Sequence, residues 1–438
     1  VNQMTYVWDS CFCTMFQRYA APGGAHPCMR TLDSFYALQE PGGMIHRNVH
    51  CTTGEHRPGG EPGSLAQSAT NPPLFAWAEW QYYRLTGDRA RLERVLPVLE
   101  RHYAFIEEHL QEQPGRYLWN GGGSGWDNIN WDQGEDAMHY WVEWPALQAL
   151  AAGHLARIAD VLRDRRLQEH YLREVEAQRE AMELYWNEKA HWYCSLTRDG
   201  RFCRKTLAGM WAFLAGLVPP ARARAIVDNT LMRPSAFLTE PMPLPTVARD
   251  EPGYHPKGSY WLGGVWINMS LVTIAGLDRM GFGQEARELA RRTVEGMAAT
   301  YQAWDPAPHT LWECYAPEFP APSSHKIDHP DRLGTVRGDF RGWACNVINL
   351  LIEYLAGLRV DAPGTTLHWH AENTEAWRIE GLRFGNVCVD LEQAPRRTAS
   401  EPVEGFVRSD APLRIELRCG PRRRVLDVPP GERRFSLA

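Results

Sequence analysis

The hydrophobic pattern changes period once, and that change constrains the fold more than any other feature of the chain. From about residue 9 to 358, apolar residues recur at the three-to-four spacing of amphipathic helices; after Pro363 they alternate. In "RARLERVLPVLERHYAFIEEHL" one face carries Leu92, Val95, Leu96, Leu99, Tyr103, Ile106 and Leu110. "QEARELARRTVEGMAATY" repeats this with Ala286, Leu289, Ala290, Val294 and Met297, and "GWACNVINLLIEYLAGL" with Trp343, Val347, Leu350, Leu351, Tyr354 and Leu358. "VWINMSLVTIAGLDRMGF" is apolar nearly all round, as in a helix buried on both sides.

The spacing predicts eleven helices, near 10–20, 29–39, 73–86, 89–110, 142–162, 165–189, 208–218, 221–232, 264–281, 284–303 and 342–358. Short turns join them in pairs, as in "LTGDRARL", where Gly87 stops one helix and Asp88 starts the next. The links between pairs are longer and rich in Gly, Trp and Pro, and such loops usually carry function. In the tail, Val387, Val389 and Leu391 alternate with Cys388, Asp390 and Glu392. The expectation is an all-α body over residues 1–360 and a small C-terminal β-strand appendage over residues 361–438.

Composition narrows the function. The 438 residues carry a net charge of −6 with both signs mixed throughout, which argues against nucleic acid or an anionic membrane as partner. No apolar run approaches the roughly 18 residues of a membrane helix, so a soluble protein is expected. The ten cysteines form no CxxC pair and fit the reduced thiols of a cytoplasmic protein. HExxH and GK[ST] patterns are missing, so neither a metal nor another cofactor is expected. The chain begins at Val1 and reaches "YVWDSCF" almost at once, without signal-peptide character; an upstream piece is either missing from this chain or absent in nature. Oligomeric state is not legible.

The informative side chains stand in the longer loops: Trp8 and Asp9; Gln39, His46 and Arg47; Trp126 and Asp127; Tyr260, Trp261 and Trp266; Trp312, Glu313 and Tyr315; Phe340 and Trp343. The groups with Asp9, Asp127 and Glu313 pair aromatic rings with a carboxylate. A sugar presents apolar C–H faces that stack on aromatic rings and a rim of hydroxyls for carboxylates and amides. Many of the 18 tryptophans stand in Gly-rich loops rather than on helix faces, which favours this reading over core filling. The plainer alternatives are that a given Trp only fills the core and that Asp9 is an ordinary helix N-cap.

Seven motifs occur in order: "YVWDSCF", "LQEPGGMI", "NPPLFAWAEWQYYRLTGD", "SGWDN", "PLPTVARDEPGYHPKGSYWLGGVW", "WECYAPE" and "FRGWACNVINLLIEYLAGL". Over roughly residues 4–360 they resemble the (α/α)6-barrel glycosidases of glycoside hydrolase family 63 and their trehalase relatives. The bacterial α-glucosidase and mannosylglycerate or glucosylglycerate hydrolase branch is most similar. The resemblance implies Asp127 as general acid and Glu313 as general base. It implies Trp8 and Asp9 as contacts to the sugar in the −1 subsite, with "YWLGGVW" lining the pocket. Two positions depart from the family pattern: Leu262 stands where an arginine is usual and Gly264 where a proline is usual. After "SGWD" comes "NINW" rather than Ser-Pro-Arg.

The implied function is an inverting, exo-acting glycoside hydrolase acting on a small α-linked glucoside: a disaccharide, an oligosaccharide or a glycosylglycerate. Substrate contacts are expected from Trp8, Asp9, Gln39, Trp126, Tyr260, Trp261, Trp266, Tyr315 and Trp343. Trp126 and nearby Trp131 would desolvate Asp127 and keep a general acid protonated. An (α/α)6 barrel has twelve helices, so the first is expected to be missing or supplied otherwise. Two other classes stay open: an inactive carbohydrate-binding relative, and a lyase or epimerase on a similar toroid using His46, His50 or His255. Glu318 and Glu240 are alternative candidates for the base.

Overall fold

The computed structural model describes residues 4–20, 27–55, 70–119, 124–129, 138–304, 309–325 and 334–438. The helices are α1 (Val7–Ala20), α2 (Arg30–Ala37), α3 (Phe75–Thr86), α4 (Arg89–His109), α5 (Glu143–Leu162), α6 (Arg165–Ala181), α7 (Trp211–Ala215), α8 (Pro220–Ile226), α9 (Ile267–Arg279) and α10 (Gly283–Ala303). A last helical run over 344–355, α11, winds in turn as 3-10, α and π helix.

Packing follows a ring. Helix α1 lies against α3, α3 against α5, α5 against α7, α7 against α9, α9 against α11, and α11 returns to α1. Outside the ring, α2 packs on α1, α4 on α3 and α5, α6 on α5, and α10 on α9 and α11. Hydrophobic patterning decides which helix goes where. On α9, Ile267 through Ile274 are buried without a break, as two-sided burial requires; on α10 only one stripe is buried, including Ala286, Leu289, Ala290 and Met297. The turn read at Gly87 is as expected: Gly87 caps α3 at φ +72°, and the Asp88 carboxylate accepts from the Arg91 N–H at 2.9 Å. A buried ion pair joins α3 to α4, with Glu79 fully buried and accepting from Arg91 at 2.6 Å; Tyr36 on α2 adds its hydroxyl at 2.8 Å.

Two features depart from the sequence reading. The π turn at 350–355 shifts the phase of α11, so Leu351 is 43% exposed while Asn346, Asn349, Leu350 and Tyr354 are buried; Leu358 already belongs to a strand. The helical region also carries short strands. Strand β1 (Met4–Tyr6) pairs with β2 (Asn48–His50), and β3 (Gln111–Gln113), β4 (Arg116–Trp119), β5 (His139–Tyr140) and β8 (Leu196–Thr197) form one sheet. β6 (Trp186–Asn187) pairs with β7 (Trp192–Tyr193). Runs of two to four residues are too short to show alternation.

The C-terminal region is a pair of four-stranded sheets. β9 (Leu358–Asp361), β10 (Thr366–His370), β14 (Leu413–Cys419) and β15 (Arg422–Val428) form one, in the order β15-β14-β10-β9. β11 (Trp377–Phe384), β12 (Val387–Gln393), β13 (Val403–Ser409) and β16 (Gly431–Leu437) form the other in that order. Val387, Val389 and Leu391 point inward as their alternation predicts, meeting Leu367, Ile415 and Leu417 in one core. Leu85 and Ala356 from the helical region enter that core, and the Ala362 N–H donates to the Arg84 carbonyl at 2.7 Å. No helix among the described residues is long and apolar enough to cross a membrane.

Candidate active site

The N-terminal ends of the ring helices, with the loops before them, gather the carboxylates. Asp9 lies in the first turn of α1, two residues inside a helix that begins at Val7, so it is not an N-cap. Burial pushes its carboxyl up to about 8, helped by the negative charges of Glu313 and Asp127 and opposed by its own backbone N–H. Glu313 is 5% exposed. Burial raises its carboxyl to about 7 against hydrogen bonds from the Tyr260 hydroxyl and the Arg337 backbone, with Asp127 adding a further upward push. Tyr260 donates to Glu313 Oε1 at 3.0 Å, and its own hydroxyl feels both Asp127 and Glu313. Asp9, Asp127, Tyr260 and Glu313 therefore share one electrostatic neighbourhood, although Asp127 and Glu313 come from loops far apart in the chain.

Asn128 builds that convergence, and sequence reasoning did not single it out. Its amide donates to the Ser259 carbonyl at 2.9 Å and its Oδ1 accepts from the Trp261 N–H at 2.9 Å. The loop carrying Asp127 is thus clamped to the loop carrying Tyr260. Tyr260 takes a left-handed backbone at φ +59°, and its carbonyl accepts from Trp266 Nε1 at 3.1 Å. A buried asparagine directly after the acidic residue of "WDN" was the available signal.

Aromatic rings wall this neighbourhood. Trp261 and Trp266 stack at 4.0 Å between centroids, Trp126 lies 4.8 Å from Trp261, and Trp343 meets Trp266 edge-on at 5.7 Å. Trp8 packs on Trp211 and Trp343, and Gly125, at φ +84°, brings its backbone against the Trp8 ring. Trp8, Trp126, Tyr260, Trp261, Trp266 and Trp343 are therefore brought together with the carboxylates.

Two expected contacts are turned elsewhere. The Gln39 amide donates to the Gly43 and Val98 carbonyls, and its oxygen accepts from Arg101, so its polar atoms face the outer helix α4 rather than the carboxylates. The Tyr315 hydroxyl accepts from the Trp312 N–H at 3.2 Å, bracing the segment that carries Glu313. Trp131, like Asp132, Glu135 and Asp136, lies outside the described residues. Of the other possible bases, Glu318 accepts from Tyr254 at 2.6 Å and pairs with Arg249, while Glu240 is exposed beside Arg292. His46 pairs with Glu40 at 2.6 Å, and His255 accepts from the Lys257 N–H.

Residues 3–325 match the family described as Mannosylglycerate hydrolase MGH1-like glycoside hydrolase domain. A Borreliella burgdorferi protein described as uncharacterized is 26% identical over 378 residues, covering 85% of this chain and 76% of its own. The GH63 mannosylglycerate hydrolase from Thermus thermophilus in complex with glucose is similar in fold, with a TM-score of 0.61 at 19% identity, over 80% of this chain and 93% of that one. Its complex with Tris and D-glycerate gives 0.62 at 19% identity, over 80% of this chain and 92% of that one. A GH78 rhamnosidase from a Bacillus species gives 0.62 at 16% identity, over 95% of this chain and 38% of its own. At these identities the structural likeness speaks to fold alone. The sequence match spans most of the chain: it belongs to the mannosylglycerate hydrolase MGH1-like family and is a glycoside hydrolase.

Proposed function

We propose that this glycoside hydrolase is an exo-acting, inverting enzyme for a small α-linked glucoside, with Asp127 as general acid and Glu313 as general base. The observation that carries the reading is the convergence of both carboxylates on Tyr260 inside a wall of tryptophans. Asp127, on its Gly-flanked loop, protonates the glycosidic oxygen. Glu313, ionised and held by Tyr260, takes a proton from water attacking the opposite face of the sugar. Trp8 and Asp9 contact the sugar in the −1 subsite, and the stacked Trp261 and Trp266 support the aromatic wall. An inverting pair leaves roughly 6.5–9.5 Å between its carboxyl groups for that water.

The ring of helices with partners outside it supports an (α/α)6 barrel lacking one outer helix, the one that would precede α1, with residues 361–438 as a separate β unit. The bound glucose and D-glycerate of the Thermus enzyme support a glycosylglycerate among the candidate substrates. We place the reaction in the cytoplasm, where free cysteines stay reduced. The test is a release assay on α-linked disaccharides and glycosylglycerates followed by NMR. An α-glucoside should yield the β-anomer first; the α-anomer as first product overturns the inverting assignment.

A further inference from the structure

The opposite end of the helix ring holds a second polar cavity. Asp9 stands near the start of α1 and Arg18 near its end, roughly 13 Å further along at 1.5 Å per residue. Likewise α5 runs from Glu143 to His154 and Arg157, and α9 from Ile267 to Arg279. Their C-terminal ends, together with Arg359 and Val360 of strand β9, surround a cavity of about 270 Å³.

Arginines dominate its lining. Arg18 is matched by Glu353 at 2.8 Å and Arg359 by Asp278 at 2.9 Å. The other three are not closely matched. Arg84 has Asp361 only at 3.8 Å and donates to the Val360 carbonyl at 3.2 Å. Arg279 donates to the Leu214 carbonyl at 2.5 Å. Among the described residues Arg157 has no carboxylate within ion-pair reach and lies 5.7 Å over the Trp80 ring. The Leu214 carbonyl in the last turn of α7 takes one donor of Arg279 and the Val360 carbonyl of β9 one donor of Arg84, but a guanidinium has five.

Two buried polar side chains border the same space. His154 is 4% exposed and its Nδ1 has no hydrogen-bond partner among the described residues; Asn349 is 1% exposed and its Oδ1 has none either. The arginines also press on one another. Burial and then Arg157 and Arg179 lower Arg279 to about 10, while burial with Arg84 lowers Arg157. An anion seated among them relieves that repulsion.

We propose that this cavity binds a small phosphorylated polyol, with Arg84, Arg157 and Arg279 holding the phosphate and His154 and Asn349 meeting its hydroxyls. Three poorly matched guanidiniums suit a dianion, and their planar forks suit phosphate oxygens. The cavity is larger than inorganic phosphate needs, and Trp77 and Tyr354 add apolar surface for a carbon chain.

Thermal unfolding of the whole chain tests this with inorganic phosphate, glycerol 3-phosphate and sodium chloride at equal ionic strength. Glycerol 3-phosphate should raise Tm at lower concentration than inorganic phosphate, and chloride should do little. Arg157→Gln and Arg279→Gln should each raise the half-saturating concentration about 10-fold or more. Both should leave basal glycoside hydrolysis unchanged, since neither residue lies among the carboxylates. Among the described residues Arg157 makes no side-chain hydrogen bond, so its variant stays informative if Arg279→Gln unfolds. Equal shifts with chloride, or variants that respond as the parent does, overturn the site. Equal potency of the two phosphates overturns the polyol assignment.

Discussion

The Tyr260 hydroxyl donates to Glu313 Oε1 at 3.0 Å, and that contact opposes the burial that raises the Glu313 carboxyl to about 7. A general base must be ionised, so kcat/KM should fall about tenfold per pH unit below pH 7. Tyr260→Phe removes a donor that stabilises the carboxylate and should move this acidic limb upward. A pH–rate profile of the free enzyme checks both. An unchanged limb in Tyr260→Phe would show that the base lies elsewhere.

Leaving-group chemistry separates the two carboxylates. Asp127→Asn cannot donate a proton, so cleavage of a natural sugar with a poor leaving group should drop about 10²–10⁴-fold. α-Glucosyl fluoride needs little protonation and should lose much less. Glu313→Gln removes the group that activates water and should suppress both substrates alike. Near-normal turnover of both by Glu313→Gln sinks the assignment.

How much of this was legible depends on whether a contact is local. The paired helices follow from periodicity and from Gly87–Asp88, whose roles are fixed within a few residues. The loop residues Asp127, Tyr260, Trp261 and Glu313 stood out because aromatic rings and carboxylates are unusual in Gly-rich segments. The Asn128 clamp was hidden because its partners, Ser259 and Trp261, lie over a hundred positions away. Gln39 shows the converse: its motif suggests a sugar contact, while in the folded chain Arg101 and the Val98 carbonyl engage its amide, partners about sixty positions away. The phase shift in α11 and the two-residue strands were invisible because a π turn and so short a strand leave no period to read.

The Glu79–Arg91 pair should behave as a buried ion pair does. Arg91→Met leaves Glu79, which has no exposure, without its main partner and should cost about 3–5 kcal/mol in denaturant unfolding. Replacing both residues by methionine should recover most of that loss, since the uncompensated charge is then gone. A double variant no more stable than Arg91→Met refutes this account.

Glu143, at the start of α5, is fully buried, and among the described residues neither carboxyl oxygen meets a hydrogen-bond partner. Burial raises its carboxyl to about 8. The unfolded chain releases this proton near the ordinary glutamate value, about 4.3. Between there and pH 8 the folded state binds more protons than the unfolded state, so this group's contribution to stability is complete at low pH and is lost as pH rises through 8. Glu143→Gln abolishes that dependence. The stability of the variant relative to the parent should therefore grow between about pH 4.5 and 8, by at most about 5 kcal/mol at roughly 1.4 kcal/mol per pKa unit. Denaturant unfolding at several pH values checks it. A difference that stays flat across this range would mean that Glu143 is ionised and solvated in the folded protein.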